Sequence, residues 1–202
     1  MRFFRRVGAV PSGEPLRVGV LAGSFNPPTV AHFHLLEAAV AHVDELVCVV
    51  PRVLPHKIYH GASLEQRVEM LTAPGLRPDY SVAVSDGGLI AEIAGECRAE
   101  YGETARLLFL CGRDAAERIV EWDYGEAGAI ERLMERFELL VARRGGAYVP
   151  PPSLKHRIHP LAVRSDFEEV SSSRLRERIA RGARWRHLAP EALHLLAEKI
   201  YG

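Results

Sequence analysis

Apolar residues fall into short runs along the chain, and each run gives way to a stretch where they recur at helical spacing. The runs Leu16–Leu21, Leu46–Val50, Tyr80–Val84, Leu107–Cys111 and Phe137–Ala142 have the length and β-branched content of buried parallel strands. Ile158–Val163 makes a sixth. Between and after them, Ala31–Val43, Ser63–Thr72, Gly88–Tyr101, Ala115–Trp122, Ala129–Arg136, Ser172–Ala180 and Pro190–Tyr201 read as helices. The alternation predicts an α/β fold: a Rossmann-like, doubly wound parallel sheet with helices on both faces and right-handed crossovers. Such sheets place ligands at the carboxyl ends of their strands. The residues that matter for function should therefore follow strands.

Length and composition narrow this picture. The 202 residues suit one domain with a full core. Met1 to Pro15 is basic at Arg2, Arg5 and Arg6 and has no apolar core of a secretory signal. It reads as a flexible tail over residues 1–15, leaving 16–202 as a single domain that ends in helices. Lys plus Arg equals Asp plus Glu, 26 each, which argues against nucleic acid as a partner. No run approaches the roughly 20 apolar residues of a membrane helix. Cys48, Cys97 and Cys111 lie far apart inside apolar runs and show no metal-ligand spacing. Their odd number fits a reducing compartment and a cytoplasmic protein.

The candidate chemistry does follow the strands. After the first comes Gly23-Ser24-Phe25-Asn26-Pro27-Pro28-Thr29-Val30-Ala31-His32. Gly23 lets backbone approach a ligand, the prolines stiffen the turn, and His32 falls in the first helical turn, where backbone N–H groups attract anions. After the second strand, Pro51 and Pro55 hold a loop that delivers His56 and Lys57, a mobile cation suited to phosphate. The next helix can open on a Ser63–Gln66 capping box and carries Arg67, readable equally as a phosphate ligand or as a surface partner of glutamate. After the third strand, Gly87 and Gly88 could offer amides to a ligand or form a plain loop.

The fourth strand leads into Gly112-Arg113-Asp114 and a short helix ending at Trp122. Asp114 can accept from ribose hydroxyls, and Trp122 either stacks on a ring or packs in the core. Arg143 and Arg144 follow the fifth strand, and Ser171-Ser172-Ser173 with Arg176 opens a later helix. Serines there cap the helix and present hydroxyls and amides to an anion. There is no Walker A sequence, no G-x-G-x-x-G, and no triad that would suggest a covalent intermediate.

Together these motifs resemble those of nucleotidyltransferases that share a fold with class I aminoacyl-tRNA synthetases. The match spans residues 16 to 182. Within that group, Pro55-His56-Lys57 followed by Arg67, and Gly112-x-Asp114 with Trp122, resemble nicotinate-nucleotide adenylyltransferases. Ala31 replaces the usual glycine, Ser173 replaces threonine, and the Ser-Tyr-Thr segment of bacterial members is missing after the third strand. The resemblance implies AMP transfer from ATP to nicotinate mononucleotide, with nicotinamide mononucleotide also open, in NAD biosynthesis. It implies catalytic roles for His32, Arg176 and Lys57. It implies ATP contacts from Gly23, Ser24, Phe25, Thr29, Gly112, Asp114, Ser172, Ser173 and Arg176, with Mg²⁺ accompanying ATP. Mononucleotide contacts would come from Asn26, Lys57, Arg67, Gly87, Trp122 and Arg143. A homo-oligomer is compatible with it. Phosphopantetheine adenylyltransferase, or a nucleotide-binding regulator without catalysis, are the alternatives.

Overall fold

The computed structural model describes residues 1–9, 15–54, 59–143, 146–164 and 170–202. One sheet holds seven strands: β1 (Arg2–Arg5), β2 (Arg17–Ala22), β3 (Glu45–Pro51), β4 (Ser81–Ser85), β5 (Arg106–Gly112), β6 (Glu138–Ala142) and β7 (Ile158–Leu161). Their order is β1-β4-β3-β2-β5-β6-β7. Strands β2 to β7 run parallel, and β1 pairs antiparallel with β4 at one edge. The helices are α1 (Val30–Ala39), α2 (Leu64–Thr72), α3 (Ile90–Tyr101), α4 (Arg113–Glu121), α5 (Ala129–Met134), α6 (Ser172–Ala180) and α7 (His194–Tyr201).

Two-residue alternation sorts each strand between two cores. Val18, Val47, Val49, Phe109 and Val141 face α3, α4 and α5 through Ile93, Cys97, Ala116 and Met134. Leu21, Cys48, Val50, Leu108 and Leu140 face α1 and α2 through Leu36, Ala39, Val68 and Leu71. Helices thus cover both faces, as a buried parallel sheet requires. The three cysteines are buried thiols, and burial pushes those of Cys97 and Cys111 up to about 12. No helix among the described residues is long and apolar enough to cross a membrane.

The N-terminus corrects the sequence reading, which made residues 1–15 a tail. Arg2–Arg5 is an edge strand, laddered to β4 with Phe3 packed on the core, and basic side chains add to its hold. Arg5 lies over the Tyr80 ring at 4.3 Å and donates to the Tyr80 carbonyl, while Arg6 lies over Phe3 and pairs with Glu100. Helix α4 also begins earlier than expected, directly after β5, so Asp114 sits in its first turn.

Charge at the amino edge of the sheet is neutralised internally. Arg17, opening β2, pairs with Asp44 at 2.8 Å. Glu138, opening β6, is buried and accepts from both arms of Arg106, at 2.6 and 2.8 Å, and from His159 at 2.7 Å, with Arg157 at 3.9 Å. Burial alone would raise its pKa, but the bonds from Arg106 and His159 outweigh it and hold the carboxyl below the usual range. A depressed carboxylate stabilises the fold above its unfolded pKa and loses that contribution as pH falls through the folded value. Glu138→Gln should therefore flatten the loss of melting temperature below about pH 4. Acid limbs of equal slope in the two proteins would show that Glu138 contributes nothing there.

Candidate functional site

Strand order reverses at β2: β3 and β4 lie to one side, β5 to β7 to the other. The divergence opens a crevice at the carboxyl ends of β2 and β5. A cavity of about 310 Å³ occupies it, walled by the first turn of α1, the start of α4, the ends of β6 and β7, and the start of α6.

The turn from Gly23 to Thr29 is held from several directions. The Gly23 amide donates to the Val49 carbonyl of the neighbouring strand at 3.1 Å. Phe25 adopts φ +46°, a left-handed conformation unusual for a bulky residue, and its fully buried ring lies 5.1 Å from the His32 ring. Thr29, buried, is the N-cap of α1. Its backbone N–H donates to Nδ1 of His32 at 3.0 Å, and its hydroxyl lies 2.8 Å from the same nitrogen. Because Nδ1 accepts, Nε2 carries the ring proton, and His32 lines the cavity. The fold thus presets a donor histidine at a helix N-terminus.

Thr29, His32, Gly112, Asp114, Arg143 and Ser172, all proposed from sequence, meet at this cavity. Ser171, named with the serines that open α6, lines it too, as do Arg118, Arg164 and His34, which were not singled out. Arg118 had a legible signal, since it lies four residues after Asp114 on α4 and so on the same face. Three arginines against one carboxylate, Asp114, give the described wall a cationic balance suited to a polyphosphate.

Other proposed residues serve the turn. Asn26 is 4% exposed. Its Nδ2 donates to the His60 carbonyl at 2.8 Å, and its Oδ1 accepts from the Ala62 amide at 3.0 Å and from the Tyr201 hydroxyl at 2.6 Å. This side chain is committed to the protein, not turned to a mononucleotide. Arg176 donates to the Asn26 carbonyl and, at 3.4 Å, to Ser173 Oγ, while Ser172 Oγ donates to the Pro27 carbonyl at 2.8 Å. Neither Arg176 nor the exposed Ser173 lines the cavity. Gly23, Ser24 and Phe25 shape the turn without forming its cavity wall.

Arg67 matches neither sequence alternative. It is 3% exposed, stacks over the Tyr59 ring at 4.8 Å, and donates through Nη1 to the carbonyls of Ser24 and Pro51 at 3.4 and 3.3 Å. Burial pulls its pKa below the usual arginine value. The Gly87 amide is also occupied: it donates to Glu96 at 3.0 Å, and the amides of Gly88 and Leu89 donate to Glu92 at 2.8 and 2.9 Å. The Leu89 and Gly88 bonds hold the Glu92 carboxyl below the usual carboxylate range. Trp122, at the end of α4, is half exposed and outside the cavity wall. Lys57, with Pro55 and His56, lies outside the described residues.

Residues 20–178 match the cytidylyltransferase-like family. A probable nicotinate-nucleotide adenylyltransferase of Chromohalobacter salexigens is 32% identical, the alignment covering 93% of this chain and 97% of that one. Another, of Exiguobacterium sibiricum, is 29% identical over 91% and 97%. Among solved structures, Plasmodium falciparum nicotinic acid mononucleotide adenylyltransferase complexed with NaAD superposes with TM-score 0.67 at 16% identity, over 91% of this chain and 93% of that one. At that identity the likeness speaks for the fold.

Proposed function

Since the chain belongs to the cytidylyltransferase-like family, among its nicotinate-nucleotide adenylyltransferases, we propose that it moves the adenylyl group of ATP onto nicotinate mononucleotide. The observation that carries this reading is the preset His32: Nδ1 fixed by the Thr29 amide, the ring on the wall of a cationic cavity at the switch point. An oxygen of the mononucleotide phosphate attacks the α-phosphorus of ATP. The bond from that phosphorus to the bridging oxygen breaks, and pyrophosphate leaves with the electron pair. The attacking phosphate is already ionised, so no general base is needed, and catalysis is positioning plus charge stabilisation.

His32 would donate from Nε2 to an α-phosphate oxygen as charge builds there. Ser171 and Ser172 at the start of α6, with Arg118, Arg143 and Arg164 at the rim, would hold the remaining phosphates. Asp114 would accept from the ribose hydroxyls. Lys57 is retained in this reading as a further cation. Mg²⁺ would come with ATP and neutralise charge on its phosphates. The described wall offers Asp114 as its one carboxylate, which suits an ion held mainly by phosphate oxygens.

The test is pyrophosphate release with ATP and Mg²⁺, run in parallel on nicotinate and nicotinamide mononucleotides. A clear excess with nicotinate mononucleotide is expected. Silence with both, accompanied by release on phosphopantetheine, would overturn the reading.

A further inference from the structure

The catalytic turn is tied to the far end of the chain. Tyr201, in the last turn of α7, donates its hydroxyl to Asn26 Oδ1 at 2.6 Å, across 175 residues. Burial raises the pKa of this phenol, so it stays a donor throughout the neutral range. Asn26 lies three residues before Thr29, whose amide fixes the His32 ring. We propose that Tyr201 is a positioning residue for adenylyl transfer, acting through Asn26 to hold the turn that aims His32.

Three observations carry this. First, the Tyr201 contact completes the set on an almost fully buried amide: Oδ1 takes two donors, from Tyr201 and Ala62, and Nδ2 serves His60. A buried amide satisfied from two separate segments has little freedom to rotate or shift. Second, Gly61 adopts φ +124°, and a Cβ built on it would fall 2.5 Å from Asn26 Oδ1. The 60–62 segment can close on Asn26 only because no side chain intervenes. Third, α7 has its own footing: Leu196, Ile200 and Tyr201 pack on Ala62, Met70 and Ala73, so the hydroxyl is delivered from a fixed platform and not from a loose end. The carbonyl of Asn26 is bound in turn by Arg176 of α6. Both terminal helices therefore converge on one residue of the turn, and α7 contributes to it without lining the cavity.

Tyr201→Phe removes the hydroxyl and keeps the ring. Asn26 Oδ1 still accepts from Ala62, so the fold should survive with a melting temperature within about 3 °C of wild type. The proposal, which rests on the adenylyl-transfer reading for its kinetic measurement, expects kcat to fall about tenfold with KM for ATP changed less than about threefold, as misaimed catalytic groups do. A double-mutant cycle gives the sharper readout. If Tyr201 acts through Asn26, adding Tyr201→Phe to Asn26→Ala should lower kcat no further. Fully multiplicative losses would overturn the proposal, as would an unchanged kcat in Tyr201→Phe. The ¹⁵N resonances of the His32 imidazole provide a readout without turnover. They should move in Tyr201→Phe, and unmoved resonances would overturn the proposal even if wild-type protein proved inactive on nicotinate mononucleotide. Wild-type inactivity would count only against the function assigned above.

Discussion

His32→Ala should lower kcat about 10²–10³-fold, the usual loss when one preset donor to a developing oxyanion is removed. KM for ATP should change much less, because the donor acts chiefly where charge builds. The structure adds a stability cost that an exposed histidine would not carry. The His32 ring caps the Thr29 amide and packs against Phe25 at 5.1 Å, so alanine should also cost about 1 kcal/mol, a few degrees of melting temperature. Thr29→Val separates the two functions of the cap: it removes the hydroxyl, keeps the backbone N–H, and should cost less than about tenfold in kcat. Steady-state kinetics beside thermal melts would check both. A folded His32→Ala with turnover within tenfold of wild type would remove His32 from the chemistry.

How much of this was legible in the sequence depended on where each residue's partners lay. The β2–turn–α1 unit could be read locally: an apolar run, a proline-stiffened turn, and a histidine three residues after a threonine that can cap. The two-sided core followed from strand runs such as Leu46–Val50, whose every position is buried. By contrast, β1 escaped notice because two phenylalanines flanked by arginines, Arg2-Phe3-Phe4-Arg5, look like a basic tail. Only Tyr80, Ser81 and Glu100, 74 to 94 residues away, show that Arg5, Arg6 and Val7 are bound.

The same reason divides the site residues. Asn26, Arg67 and Arg176 sit inside ligand-binding motifs, and a polar residue in such a motif reads naturally as a ligand contact. Their partners prove to be Tyr201, the Ser24 and Pro51 carbonyls, and the Asn26 carbonyl, which no local window contains. The amides after β4 were a different case. Glu92 lies three residues after the N-cap Leu89, the spacing of a capping box, so their occupation was there to be read.

Arg67→Ala is expected to be the most destabilising of the variants considered, by about 3 kcal/mol, or about 6–12 °C of melting temperature for a chain of this size. The guanidinium sits between the turn and the end of β3, and its loss strands the Ser24 and Pro51 carbonyls and opens a void beside Tyr59. Relief of the buried charge offsets only part of that loss. The charge is already poorly placed, buried with Nε lacking a partner, and no carboxylate of the described residues forms an ion pair with it. A group held at such electrostatic disadvantage persists because its shape and its donors fit. Arg67→Lys should therefore rescue little, since a lysine keeps the charge and loses the planar fork, whereas a phosphate ligand would be partly replaced by lysine. The two roles separate cleanly in one experiment. Melting temperature and KM for the mononucleotide are measured on wild type, Arg67→Ala and Arg67→Lys. Large drops in melting temperature for both variants are expected. If instead both melt like wild type while KM rises tenfold in alanine and recovers in lysine, Arg67 binds substrate phosphate and the brace beneath the turn is not its role.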